Sequence, residues 1–178
     1  MAQQDSASSD QHQTARNIVL RQLAAAPKTR HQLAEKLADR HIPEDVIQAV
    51  LDRFEEVELI DDAAYAEMWV RSRHRSKGLA RRAISMELKQ RGIEEHEAAI
   101  ALEQISDEDE WAKASELVHK KLSRMTIPTS TDPADRKERD RIVRRLVSML
   151  SRKGYASNIA FSVVTDALNE ENLDDLDE

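Results

Sequence analysis

With 178 residues and a formal net charge of −7, the chain has room for one compact domain or a short array of small ones, and its charge excludes a protein that coats nucleic acid with its whole surface. The absence of cysteine excludes disulfide staples, thiolate zinc sites and a cysteine nucleophile. Three glycines and four prolines, in a sequence dominated by Ala, Leu, Glu, Arg and Gln, point to helix almost throughout.

Residues 1–13 are polar, with neither a basic region nor an apolar run, so they read as neither signal peptide nor membrane anchor. Lacking an apolar face, they are expected to be disordered. A first helix is expected at about 14–25. Thr29 and Gln32 can form a capping box for the next helix, which carries Leu33 and Leu37 and ends at His41. Pro43 suits the first turn of a third helix, in which Val46, Ile47, Val50, Leu51 and Phe54 recur at spacings of three and four.

The same succession then returns. Asp61 can cap a helix over 62–77, whose Tyr65, Trp69 and Val70 form a core stripe. A helix with Ile84 and Leu88 ends at Arg91-Gly92, and Ala98, Ala99, Leu102 and Ile105 mark the buried face of the one after it. Ser106 can cap a helix over 107–124, and Leu146 and Leu150 precede a second glycine turn at Lys153-Gly154. Ile159, Ala160, Val163, Val164 and Leu168 form the last apolar face. The prolines Pro128 and Pro133 place a surface loop near 126–135, and the acidic tail 172–178 is expected to be disordered.

Three segments align across these units. They are L-A-E-K-L-A-D-R-H-I from Leu33, I-S-M-E-L-K-Q-R-G-I from Ile84 and L-V-S-M-L-S-R-K-G-Y from Leu146, with apolar residues in step at Leu33/Ile84/Leu146 and Leu37/Leu88/Leu150. The expected fold is all-α, with tandem three-helix repeats over 14–60, 61–106 and 107–171. His41 stands where the other repeats have glycine and is expected in the left-handed conformation, which His tolerates better than most residues. No stretch reaches the roughly 18 apolar residues of a membrane span, so a cytoplasmic protein is expected.

Catalytic constellations are missing. The glycines Gly78, Gly92 and Gly154 are too dispersed for a phosphate loop, and H-E-x-x-H and G-x-S-x-G motifs do not occur. The histidines His12, His31, His41, His74, His96 and His119 lack metal-ligand spacing on any one helix. The expectation is a non-enzyme without cofactor or metal.

Charge carries the remaining signal. One basic block holds Arg71, Arg73, Arg75, Lys77, Arg81, Arg82, Lys89 and Arg91 against a lone acid, Glu87, and a second runs from Arg136 to Lys153 and includes Arg144 and Arg145. Such blocks suit an acidic partner or a phosphate backbone, and the lack of interleaved aromatics argues against base stacking. The candidate partner-binding residues are Arg71, Arg73, Arg75, Lys77, Arg81, Arg82, Arg144 and Arg145. The plainer reading is that these charges are solvated helix faces paired with neighbouring acidic helices, as Arg73 and Glu87 could be within one repeat.

The run Ile60-Asp61-Asp62, Tyr65-Ala66, Trp69-Val70, Arg73, Gly78, Ile84, Glu87-Leu88 and Arg91-Gly92-Ile93, supported by Leu33 and Leu37, resembles the RecX regulators of the bacterial recombinase RecA. The resemblance covers roughly residues 14–170, with departures at His41, at Tyr155 in place of the usual Ile, and at the enlarged third repeat. It implies an elongated, curved array of three-helix repeats that lodges, as a monomer, in the groove of the RecA filament. There it would limit filament extension, ATP hydrolysis and strand exchange in recombination, repair and the SOS response, and would touch the DNA backbone inside the filament. The alternative is a helical DNA-binding module of helix-turn-helix type, with the 79–91 helix as its recognition element.

Overall fold

The computed structural model describes residues 2–128 and 132–174. Among the described residues the regular structure is entirely helical: α1 (Ala2–Ala25), α2 (Arg30–Ala38), α3 (Glu44–Glu56), α4 (Asp62–Ser72), α5 (Arg81–Gln90), α6 (Glu95–Leu102), α7 (Asp107–Leu122), α8 (Pro133–Arg152) and α9 (Ser157–Asp174). A π-helical turn, Arg73–Lys77, continues α4 and ends at Gly78.

The expected apolar stripes form the core. Leu33, Leu37, Ile84, Leu88, Leu146 and Leu150 are each at most 2% exposed, so the register read from sequence is the packing register. In α3 all five expected residues are buried. In α6 the buried residues are Ala98 and Ala101, with Ile105 beyond the helix end, whereas Ala99 is exposed and Leu102 half-buried. Small residues with few apolar neighbours leave the helical phase of so short a segment poorly determined. In α9, Ala167 joins the expected set and Ile159 is half-buried.

The chain divides into two compact units. One comprises the residues up to Trp69 together with Glu87–Ala101, the other Val70–Met86 together with the residues from Leu102 onward. Each holds one complete helix triplet, α1–α3 or α7–α9, and part of the middle one.

Three turns share one hydrogen-bond pattern. The amides of Ile42, Ile93 and Tyr155 donate, each at 3.2 Å, to the carbonyls of Leu37, Leu88 and Leu150. The amides of His41, Gly92 and Gly154 donate to Ala38, Lys89 and Ser151. This is the paired bonding of the Schellman motif, closed by a left-handed residue. His41 has φ +58°, as expected, beside +75° at Gly92 and +90° at Gly154.

Crowding explains why only His41 departs from glycine. A Cβ on Gly92 would lie 2.3 Å from His31 Cβ, and one on Gly154 would lie 2.7 Å from the Ala83 backbone nitrogen. Both turns press on the start of a preceding middle helix, α2 or α5. The first turn is exposed at His41, so there left-handed φ is the only demand. Glu58, at φ +57°, is a further left-handed residue that composition gave no reason to expect.

Caps fall where the sequence places them. Thr29 and Gln32 form a capping box on α2, and Asp61 accepts the Ala64 amide at 2.8 Å. Ser106 forms a second capping box with Asp109. Pro43 is the N-cap of α3 and so sits just outside its first turn. Pro133 opens α8 inside the stretch expected as loop, since its fixed φ suits a first helical position. Residues 129–131 of that stretch lie outside the described residues. Helix α1 extends through residues 2–13, expected to be disordered; over 9–13 it buries nothing fully, and the first core residue is Ala15. Of the acidic tail, residues 175–178 lie outside the described residues.

Candidate functional site

The junctions between repeats determine which cations remain available. Arg30 and Arg81 occupy aligned positions, the first residues of α2 and α5. Each offers its backbone amide to an acid from the first helix of the next triplet. The Arg30 amide donates to Asp62 Oδ1 at 2.9 Å, and that of Arg81 to Glu110 Oε1 at 2.6 Å. A carboxylate at a helix N-terminus satisfies an orphan donor and meets the positive end of the helix dipole. The residue before each arginine repeats the likeness: the Thr29 hydroxyl donates to the Arg91 carbonyl at 2.7 Å, and the Ala80 amide to the Lys153 carbonyl at 2.9 Å.

Both guanidinium groups are then neutralised. That of Arg30 donates to Glu55 at 2.5 Å and Asp52 at 2.7 Å, and also to Gln48. That of Arg81 pairs with Asp107 and, at 3.3 Å, with the buried Glu110. The Arg81 guanidinium, a candidate for binding by its position in the first basic block, is thus paired within the fold. Asp62 lines an acidic pocket of about 390 Å³ with Arg30, Glu55, Asp61, Glu94 and Glu97. Burial raises its carboxyl above the ordinary aspartate range, helped by Glu97 and Glu55 and opposed by the Arg30 amide.

Trp69, expected in the core, is only half-buried. Its indole N–H donates to Glu87 at 2.8 Å, its ring stacks on Tyr65 at 5.8 Å, and the Arg91 guanidinium lies 3.7 Å from the ring centroid. The amphipathic ring thus ties α4 to the end of α5 through a polar edge as well as an apolar face.

The other candidates lie in the second unit. Arg71 donates to Gln104 at 3.1 Å, and Arg73, half-buried, opens the π turn that also carries the exposed Arg75 and Lys77. Arg82, Arg144 and Arg145 are exposed. Arg145 lines a groove of about 340 Å³ with Lys121, Arg124 and Arg152, and Arg152 also lines a depression of about 260 Å³ with Arg82. Arg82 and Arg145 are thereby linked through Arg152, whereas Arg144, Arg71 and Arg73 line neither hollow.

A lysine cluster extends this basic ground. Lys153 donates from Nζ to the Lys77 carbonyl at 2.5 Å. Burial first, then repulsion from Lys77 and Lys121, lowers its pKa below the usual lysine range. Lys121 and Arg124 were not among the sequence candidates. Lys121 lies in the last turn of a helix that opens with four acids, where basic residues are ordinary complements of the helix dipole, and Arg124 follows two residues past its end.

Family models described as the first and second three-helix domains of RecX match residues 15–54 and 61–102. "Regulatory protein RecX" of Thermobifida fusca is 44% identical over 93% of this chain and 84% of its own length. The protein of the same name from Streptomyces coelicolor is 46% identical over 93% and 83%. A crystal structure of regulatory protein RecX, 26% identical, aligns with TM-score 0.73 over 90% of this chain and 74% of its own. That of RecX from Lactobacillus salivarius, at 23% identity, shares the fold with TM-score 0.71 over 89% and 97%.

Proposed function

We propose that this chain, which belongs to the RecX family of regulatory proteins, regulates the RecA recombinase by binding the RecA–DNA filament and limiting its extension, ATP hydrolysis and strand exchange. It acts by occupancy, without a reaction of its own. The observation that carries this reading is the set of exposed cations on the second unit, Arg75, Lys77, Arg82, Arg144 and Arg145, on a chain whose net charge is −7. A filament offers acidic protein surface and phosphate together, and many modest contacts repeated along it add through avidity.

Titration of the protein into RecA hydrolysing ATP on single-stranded DNA tests the proposal. Hydrolysis is expected to fall with added protein, and to fall less when Arg75, Arg82, Arg144 and Arg145 are all reversed to Glu with helicity unchanged. Equal inhibition by that variant would remove the proposed surface.

Direct DNA binding through α5 is the competing reading, and Arg81 weakens it. The first arginine of that helix is engaged by Asp107 and Glu110 and is not available to a base edge. Binding to bare DNA that is lost steeply with salt, with no added affinity for filaments, would favour that reading.

A further inference from the structure

The groove between the end of α7 and α8 differs from a surface built only for phosphate. Its rim carries Lys121, Arg124, Arg145 and Arg152, and none of these meets a carboxylate among the described residues. The contact of Arg152 is a hydrogen bond to Ser148 at 2.8 Å. Met125 and Met149, both half-buried, and the buried Leu146 line the groove as well. Methionine is unbranched and polarizable, so it accommodates apolar side chains of varied shape. A sugar–phosphate backbone has nothing to place on such a floor, and no aromatic residue lines the groove to stack a base.

We propose that this groove is a docking site for an acidic protein segment that carries apolar side chains among its carboxylates. The carboxylates meet the four rim cations, and a leucine or methionine of the segment seats on Met125 and Met149. The cations attract the segment and the thioether floor selects it, the division of labour expected where rim charge governs encounter and a buried apolar anchor governs residence. This goes beyond filament regulation, because the site is defined by the chemistry of a peptide and not by the presence of RecA or DNA.

The test uses the full chain with methyl-labelled methionines and three probes: a short peptide of Asp and Glu interrupted by leucines, the same peptide with alanine for each leucine, and oligothymidylate. The leucine peptide is expected to shift the Met125 and Met149 methyl resonances and to bind about tenfold more tightly than its alanine counterpart, as burial of one aliphatic side chain implies. Arg124→Glu with Arg145→Glu, both at exposed positions, is expected to abolish the shifts without loss of helicity. Equal affinity for the two peptides, or no binding of either, would overturn the proposal. Oligothymidylate that shifts the same methyls and displaces the leucine peptide would overturn it in favour of a phosphate site.

Discussion

Each compact unit holds one arginine, Arg30 or Arg81, against acids, but the first borders an acidic pocket and the second carries a basic groove. In the first, Arg30 is held by Gln48, Asp52 and Glu55 beside a pocket that is otherwise largely acidic. In the second, a groove with four cations on its rim faces solvent without a carboxylate among the described residues. The difference is one of position, not of composition. The first residue of α2 or α5 gives its backbone amide to the first helix of the next triplet, and its guanidinium is held by acids, those of α3 for Arg30 and those of α7 for Arg81. An arginine one residue later, such as Arg82, is left exposed. In α8 the aligned position is Val143, inside a helix of 20 residues, so no arginine is tied down there.

The largest effect is expected from reversing the charge of a paired arginine. Arg81→Glu sets a third carboxylate beside Asp107 and the buried Glu110, and should destabilise the protein by about 3 kcal/mol, read as a lower urea midpoint. A midpoint unchanged from the parent would mean that the junction is not held by this pair. Next in size is Gly154→Ala, whose methyl meets the Ala83 backbone and whose φ of +90° disfavours any side chain. A loss of about 2 kcal/mol is expected, against little change for His41→Gly, where the turn is exposed.

Asp62→Asn sharpens the acidic side of the comparison. The amide keeps an oxygen for the Arg30 amide but removes a charge that burial opposes. A carboxyl whose folded pKa is raised loses its proton first in the unfolded chain, so it lowers stability as pH rises from about 4 through the folded value. Relative to the parent, the variant should therefore gain melting temperature as pH rises through that window and keep the gain at neutral pH. A constant difference across pH would assign the effect to another cause. Smallest is Arg82→Glu, exposed and without an acidic partner among the described residues, which should change stability by no more than about 0.5 kcal/mol.

Much of this fold is legible in the sequence because it follows local rules. The leucine register, the capping residues at Thr29, Asp61 and Ser106 and the left-handed His41 each follow from a few neighbouring residues. Features set by distant partners were hidden. Arg81 and Arg82 are equivalent in any reading of charge blocks, and the arrival of Asp107 and Glu110 from 26 and 29 residues away separates them. Lys121 ends a helix with an acidic start and Arg124 lies just past it, and both become part of a basic groove only once α8 packs beside them. Trp69 matches a core stripe by spacing, yet its N–H requires the acceptor that Glu87 supplies, and that keeps one edge of the ring near the surface.

The claim that position sorts structural from binding arginines is tested most directly by co-sedimentation with RecA filaments on single-stranded DNA. The variant carries Arg75→Glu, Arg82→Glu, Arg144→Glu and Arg145→Glu, and leaves Arg30 and Arg81 intact. The variant is expected to keep the parent's helicity and urea midpoint and no longer to sediment with filaments. Undiminished sedimentation of a fully folded variant would contradict that claim.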